Sequence, residues 1–266
     1  MGSKNLGIVA HFYYPELVDI LFDQLELLSD EADVFATTSE KSADLVIKRA
    51  EKSKYNCFVI ITENKGRDVL PFIYTLNNFN IEDYNIVLKA HTKKSSHLGE
   101  GGLKWADLHL KYNLGNRCSF NWVSTAFNEL KNVGMIFHES VSMFSDRDIG
   151  NNKNMMDYAK IFGVNDFCRN TWNFSAGTMF YVRGDALSYL KSLNIGSDIF
   201  EDEENQLDGT LAHTIERLFP IFIKKAGYDI LSADYPITKI EDVKIAIRKI
   251  MKKRLTNYST KRKRFR

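Results

Sequence analysis

Asn85-Ile86-Val87-Leu88-Lys89-Ala90 runs without a break into His91-Thr92-Lys93-Lys94. A short apolar run of this kind suits a strand buried on both faces, and the basic residues that follow mark its end. Working outward, residues 6–12, 32–38 and 57–62 read as three more such strands, the second closing on Thr37-Thr38. Between them, Pro15-Glu16 opens a helical spacing of Leu17, Ile20, Leu21, Leu25 and Leu28, and residues 42–52 and 69–77 read as further helices. Strands alternating with helices at this spacing predict βαβ units and a mainly parallel sheet, the α/β class. Ligands of such sheets sit beyond the carboxyl ends of the strands. The residues at those ends are His11-Phe12-Tyr13-Tyr14, Thr37-Thr38, Asn64-Lys65-Gly66-Arg67-Asp68 and His91-Thr92-Lys93-Lys94.

The second half is less regular. Residues 104–114 and 122–131 read as helices and 133–137 as a strand. Residues 146–154 read as a polar loop, and 173–182 as a strand with Ala176-Gly177-Thr178 inside it. Residues 185–193 read as a helix, 196–207 as an acidic loop, and 208–219 as a helix with Asp208 at its N-cap. Without an internal repeat or low-complexity linker, the expected organisation is one domain over 1–238 and a basic tail over 239–266.

Charge separates the two parts. The tail carries 12 Lys and Arg against Glu241 and Asp242, which leaves 24 basic and 32 acidic residues in the body, a net charge of about −8. An acidic body is a poor partner for nucleic acid, and none is expected. In the tail, Ile240, Val243, Ile247, Ile250 and Met251 recur at helical spacing among Lys244, Arg248, Lys249, Lys252 and Lys253. The pattern suits a helix lying on an anionic membrane surface, or equally one packed on the body with a free basic end. No apolar run reaches the roughly 20 residues of a membrane span. Cys57, Cys118 and Cys168 have no metal or redox spacing, and no secretory leader is recognisable at the start. The expected location is the cytoplasm, peripheral on the inner face of the cell membrane.

Phosphate-loop, dinucleotide and G-x-S-x-G motifs are absent. His91, His97 and His109 lie close in sequence without a carboxylate or cysteine to complete a zinc spacing. At the sheet edge, His91 and Lys93 can neutralise a diphosphate in the role otherwise given to a metal, or form a solvated basic turn. In the preceding turn Gly66 permits close approach, Arg67 can fork onto phosphate and Asp68 can accept from a ribose hydroxyl; a salt-bridged Arg67/Asp68 turn is the alternative. Asn64 belongs to that turn, and His11, Tyr13 and Thr37 stand where a base would stack. Glu203 and Asp208 lie ahead of a helix whose N-terminus favours ionised acids, as a general base requires; a solvated acidic loop is the plain alternative. His213 and Glu216 follow at i, i+3 spacing on one helix face.

Together these stretches resemble the rhamnan synthesis protein F family of bacterial glycosyltransferases. The resemblance rests on Ile8-Val9-Ala10-His11-Phe12-Tyr13-Tyr14-Pro15, Asn64-Lys65-Gly66-Arg67-Asp68-Val69-Leu70-Pro71-Phe72 and Val87-Leu88-Lys89-Ala90-His91-Thr92-Lys93-Lys94-Ser95. It continues in Ser175-Ala176-Gly177-Thr178-Met179-Phe180 and Gln206-Leu207-Asp208-Gly209-Thr210-Leu211-Ala212-His213, in order, over residues 6–227. It implies a GT-A-like fold and transfer of a sugar, often rhamnose, from a dTDP-, UDP- or GDP-linked donor onto a lipid-linked or polysaccharide acceptor. By position it puts Ala176, Gly177, Thr178 and His213 at the sugar pocket, and makes Glu203 or Asp208 the base. An Asp-x-Asp after the fourth strand is missing, so a metal-independent reaction is expected, with Mg²⁺ or Mn²⁺ as the alternative; Asp146-Arg147-Asp148 has the letters but stands in a loop. The rival reading is a non-catalytic nucleotide-sugar- or glycan-binding subunit, and a transferase of galactose or galactofuranose is a third.

Overall fold

The computed structural model describes residues 4–93, 110–144, 152–164, 172–204 and 206–234. Lys94, His97, His109, Asp146-Arg147-Asp148, Cys168 and the basic tail lie outside the described residues. The first half alternates as its sequence predicts: β1 (Lys4–Phe12), α1 (Val18–Glu26), β2 (Asp33–Thr38), α2 (Ala43–Ala50), β3 (Asn56–Ile61), α3 (Val69–Asn78) and β4 (Tyr84–His91). Then come α4 (Arg117–Glu129), β5 (Val133–His138), β6 (Ser142–Phe144), α5 (Asn152–Ile161), β7 (Asn173–Ser175), β8 (Phe180–Val182), α6 (Ser188–Ser192), α7 (Leu211–Lys225) and β9 (Asp229–Ala233).

Seven strands form one sheet in the order β3-β2-β1-β4-β8-β5-β9. Every pairing is parallel except those of β8, which runs antiparallel between β4 and β5. The α/β class with a mainly parallel sheet is therefore what forms. Alternation along the strands feeds two cores. Leu6, Ile8, Ala10 and Phe12 of β1 and Ile86, Leu88 and Ala90 of β4 pack with Leu21, Phe22 and Leu25 of α1 and Trp122, Val123 and Phe127 of α4. Val9 and Val87 on the opposite face meet Phe72, Ile73 and Leu76 of α3 and Ile215, Leu218, Phe219 and Phe222 of α7. Each such aliphatic or aromatic side chain contributes about 1.5–3 kcal/mol when taken fully out of water.

The differences from the sequence expectations are local. Residues 173–182 are not one strand: β7 pairs with β6 in a separate two-stranded sheet, and after a link of four residues β8 enters the main sheet. The last helix begins at Leu211 and not at 208, because Thr210 is its N-cap in a reciprocal box with His213. It continues through Pro220 to Lys225. The helix expected from 122 starts at Arg117, where the Asn116 side chain accepts from Cys118 N and Ser119 N. Within the segment expected as a loop over 146–154, α5 already begins at Asn152.

Candidate functional site at the carboxyl edge of the sheet

The ends of β1, β2 and β4 lie side by side, and the register pairs His11 with both Thr37 and His91. His11 Nδ1 is 3.0 Å from Thr37 Oγ1. Thr92 fastens the chain beyond β1: its hydroxyl oxygen accepts from Tyr13 N at 2.9 Å and Tyr14 N at 3.2 Å, while its own N–H donates to His11 O at 2.9 Å. Tyr13 is thereby held at the edge with 40% of its surface exposed and its ring stacked towards His11, centroids 6.5 Å apart. Burial favours the neutral imidazole, which lowers the pKa of His11 to about 4 and that of His91 to about 3. Both rings are neutral at pH 7 and can donate or accept a single hydrogen bond at each nitrogen.

Beneath them lies a buried ion pair. Lys89 is 1% exposed on the α3/α7 face of β4, and its ammonium donates to Asp68 Oδ2 and, at 3.1 Å, to Thr178 O. The Thr178 hydroxyl donates to the same Asp68 oxygen, and His91 Nδ1 stands 3.5 Å from it. Burial works against ionisation of Asp68, but His91, charged over the acid range in which Asp68 would titrate, together with Lys89 and the two hydrogen bonds outweighs it and holds the carboxyl well below the usual range. Lys89 is shifted down by its burial, against the opposing pull of Asp68. The cluster anchors a tight turn in which Gly177 has φ 87° and Thr178 φ 52°. A β-branched residue in the left-handed region is strained, and such strain persists only where surrounding bonds over-determine it. Here both Thr178 oxygens are engaged, and the Gly177 N–H donates to Glu216 Oε1.

The 64–68 turn and the acidic loop are partners of one another. Arg67 N donates to Glu203 Oε1 at 3.1 Å, its Nε is 3.6 Å from Glu203 Oε2, and its Nη2 donates to Gln206 O. Lys65 pairs with Asp202 at 3.6 Å. Gly66, at φ 61°, has no room for a side chain, since a Cβ would come within 2.6 Å of Leu70 and 2.7 Å of Phe200. The expected Arg67/Asp68 pair does not form, because Asp68 turns inward to Lys89 while Arg67 turns to Glu203. Asp208 is likewise occupied: Arg217 Nη2 donates to its Oδ2 at 3.0 Å and Gly209 N to its Oδ1 at 2.9 Å. The carboxylate at the start of α7 belongs to Glu201, which accepts from Leu211 N through both oxygens.

The rhamnan synthesis protein F family model matches residues 1–228. The chain belongs to that family. All five of the blocks that carry the sequence resemblance fall inside the match. Relatives of the chain include WxcX of Xanthomonas campestris pv. campestris, 30% identical over 232 residues in strain B100 and 29% in strain ATCC 33913. In both cases the alignment covers 87% of this chain and 33% of the relative, so the chain spans about a third of the length of these proteins. Among solved structures, the 4-diphosphocytidyl-2C-methyl-D-erythritol synthase of Anaerococcus prevotii DSM 20548 aligns over 94% of this chain and 97% of its own at 12% identity, with a TM-score of 0.44.

Within this member of the family, His11, Thr37, Asp68, His91 and Thr178 converge around the ends of β1, β2 and β4. Half-buried Lys93 is close enough for its charge to be felt by His91, Lys89 and Glu216. Asn64 is exposed in its turn, Ala176 is buried, and His213 Nδ1 is taken up 2.7 Å from Thr210 Oγ1. Lys89 and Arg217 were not singled out from sequence; Thr92 entered only as part of the strand-end stretch and Glu216 only for its spacing from His213. Lys89 had a visible signal of its own, being the one charge within an apolar strand. Among the described residues no three His, Cys, Asp or Glu side chains are grouped to hold a metal ion, and no helix is long and apolar enough to cross a membrane.

Proposed function

We propose that the carboxyl edge of the sheet is the donor site of a GT-A-type glycosyltransferase. It takes a nucleoside-diphosphate sugar, rhamnosyl first among the candidates, and passes the sugar to a polysaccharide or lipid-linked acceptor. The observation that carries this reading is the convergence of His11, His91, Lys93 and the Asp68–Lys89–Thr178 cluster at one sheet edge, in a chain of the rhamnan synthesis protein F family. Tyr13 offers the base an exposed aromatic face. The histidines donate to the diphosphate as neutral groups, and Lys93 supplies positive charge as the leaving group departs. The Gly177-Thr178 turn borders the sugar, its backbone pinned by Lys89 and Glu216. Arg67 serves this site at one remove, by holding the acidic loop against the 64–68 turn.

The described residues offer Mg²⁺ or Mn²⁺ no three-ligand group, and Asp68 already balances Lys89. The chemistry proposed uses the chain's own cations. The basic tail, placed on an anionic membrane surface, would keep the site near a lipid-linked acceptor.

A thermal-shift screen with dTDP, UDP, GDP and CMP, each with EDTA or with Mg²⁺ or Mn²⁺, tests the reading. A ligand that binds the folded state raises the melting temperature by mass action. One nucleotide giving a shift that EDTA leaves intact supports the donor site and its metal independence. A shift seen only with metal refutes the metal-independent form. No shift with any nucleotide refutes the donor site.

A further inference from the structure

α7 is enclosed by the fold for most of its length. From Leu211 to Pro220 every residue is buried except Glu216. Pro220 has no N–H to give the Glu216 carbonyl, so the helical ladder is interrupted at the turn that carries this acid. The Glu216 side chain reaches the Gly177-Thr178 turn, where Oε1 accepts the Gly177 N–H. Its second oxygen, Oε2, makes no hydrogen bond among the described residues. The charged groups facing it are Lys93, Arg217 and Asp68.

The other acids near this edge are committed. Asp68 accepts from Lys89 and Thr178, Glu203 from Arg67, Glu201 from Leu211 N, and Asp208 from Arg217 and Gly209. Glu216 combines a fixed orientation, a remaining lone-pair face and a partly exposed side chain beside Lys93 and Asp68. Burial also pushes its carboxyl up from the ordinary value, against the pull of Lys93 and Arg217, which makes it a better proton acceptor.

Resting on the glycosyltransferase reading above, we infer that Glu216 is the general base that activates the acceptor hydroxyl. The acceptor O–H proton passes to Glu216 Oε2, and the freed oxygen pair forms the new bond to the anomeric carbon. The bond from that carbon to the diphosphate oxygen breaks, its electron pair leaving with the nucleoside diphosphate beside Lys93.

The test compares the full chain with Glu216→Gln, whose amide oxygen can still accept from Gly177 N–H. Nucleoside diphosphate release is followed from dTDP-rhamnose, UDP-galactose and GDP-mannose with octyl rhamnoside as acceptor, and separately with sodium azide, a nucleophile that has no proton to lose. The expected result is a loss of about 10²–10⁴-fold with octyl rhamnoside. Nucleotide affinity stays within about threefold, and azide restores release with a glycosyl azide as product. The acidic limb of the wild-type pH–rate profile disappears in the variant. Turnover of Glu216→Gln within about threefold of wild type, or intact nucleotide binding without azide rescue, overturns the inference and leaves the donor site standing. Glu216→Asp, which keeps the acid but shortens it, retains the acidic limb at reduced rate; losing the limb there also overturns the inference. Failure of the underlying reading looks different: the wild-type chain then binds no nucleotide or releases none from any donor, and the base assignment falls with it.

Discussion

Replacing Lys89 by methionine probes the centre of the site. The ammonium is buried between Asp68 Oδ2 and Thr178 O, 5.6 Å from the Phe72 ring centre and 5.9 Å from that of Phe219. Methionine matches its length and fits the aromatic surroundings, so packing changes little. What changes is Asp68, left as a buried carboxylate without its cation. Removing one partner of a buried pair costs about 3–5 kcal/mol. At roughly 2–4 °C per kcal/mol for a chain of this size, Lys89→Met should melt about 6–20 °C lower. The double variant Lys89→Met/Asp68→Asn removes both charges and keeps an acceptor for the Thr178 hydroxyl. It should recover to within about 1–2 kcal/mol of wild type, since no buried charge is then left without its partner. Urea unfolding of the four proteins, followed by circular dichroism, gives the cycle. Additive losses, with the double variant less stable than either single one, would refute the claim that this pair is what holds the cluster together.

The same geometry sets further expectations. His11 and His91 are depressed in the folded chain, to about 4 and about 3, so below pH 6.5 the unfolded chain takes up protons that the folded one does not. Their contribution is present above about pH 6.5 and is lost as pH falls towards 3, at up to about 1.4 kcal/mol per pH unit for each ring. Stability against pH should flatten over this range in His91→Gln, and an unchanged slope would count against the buried neutral ring. Thr92→Val removes the oxygen that accepts from Tyr13 N and Tyr14 N and should cost about 1–3 kcal/mol. It should also weaken the nucleotide-induced thermal shift, and an undiminished shift would separate Tyr13 from the base-binding role.

Periodicity carried the first half well. Residues 6–12 and 85–90 pack on both faces, and burial on both faces is what a continuous apolar run encodes. The strand ends could be read too, because apolar residues stop where the sheet meets water: His11, Thr37 and His91 do stand together. The turns were harder. Asp208 looked like a cap because an acid before a helix commonly is one, yet Thr210 and Glu201 satisfy the start of α7. The 173–182 stretch has strand composition throughout, and only its tight turn at Gly177 and Thr178 divides it between two sheets.

Ionic partners lay beyond local reading altogether. Arg67 and Asp68 are adjacent, and adjacency suggests a pair, but successive side chains at a turn point apart. Arg67 meets Glu203 and Asp68 meets Lys89, 136 and 21 residues away. Glu216 reads as one more charge on an amphipathic helix until packing leaves it as the opening in a buried stretch. Alternation of apolar residues and the places where it stops are properties of the chain itself, so the sequence determined the parallel α/β frame and the edge that bears the site. Which charges neutralise one another depends on distances between segments far apart in the chain, and these exist only once β8 is inserted beside β4 and α7 is laid against that face.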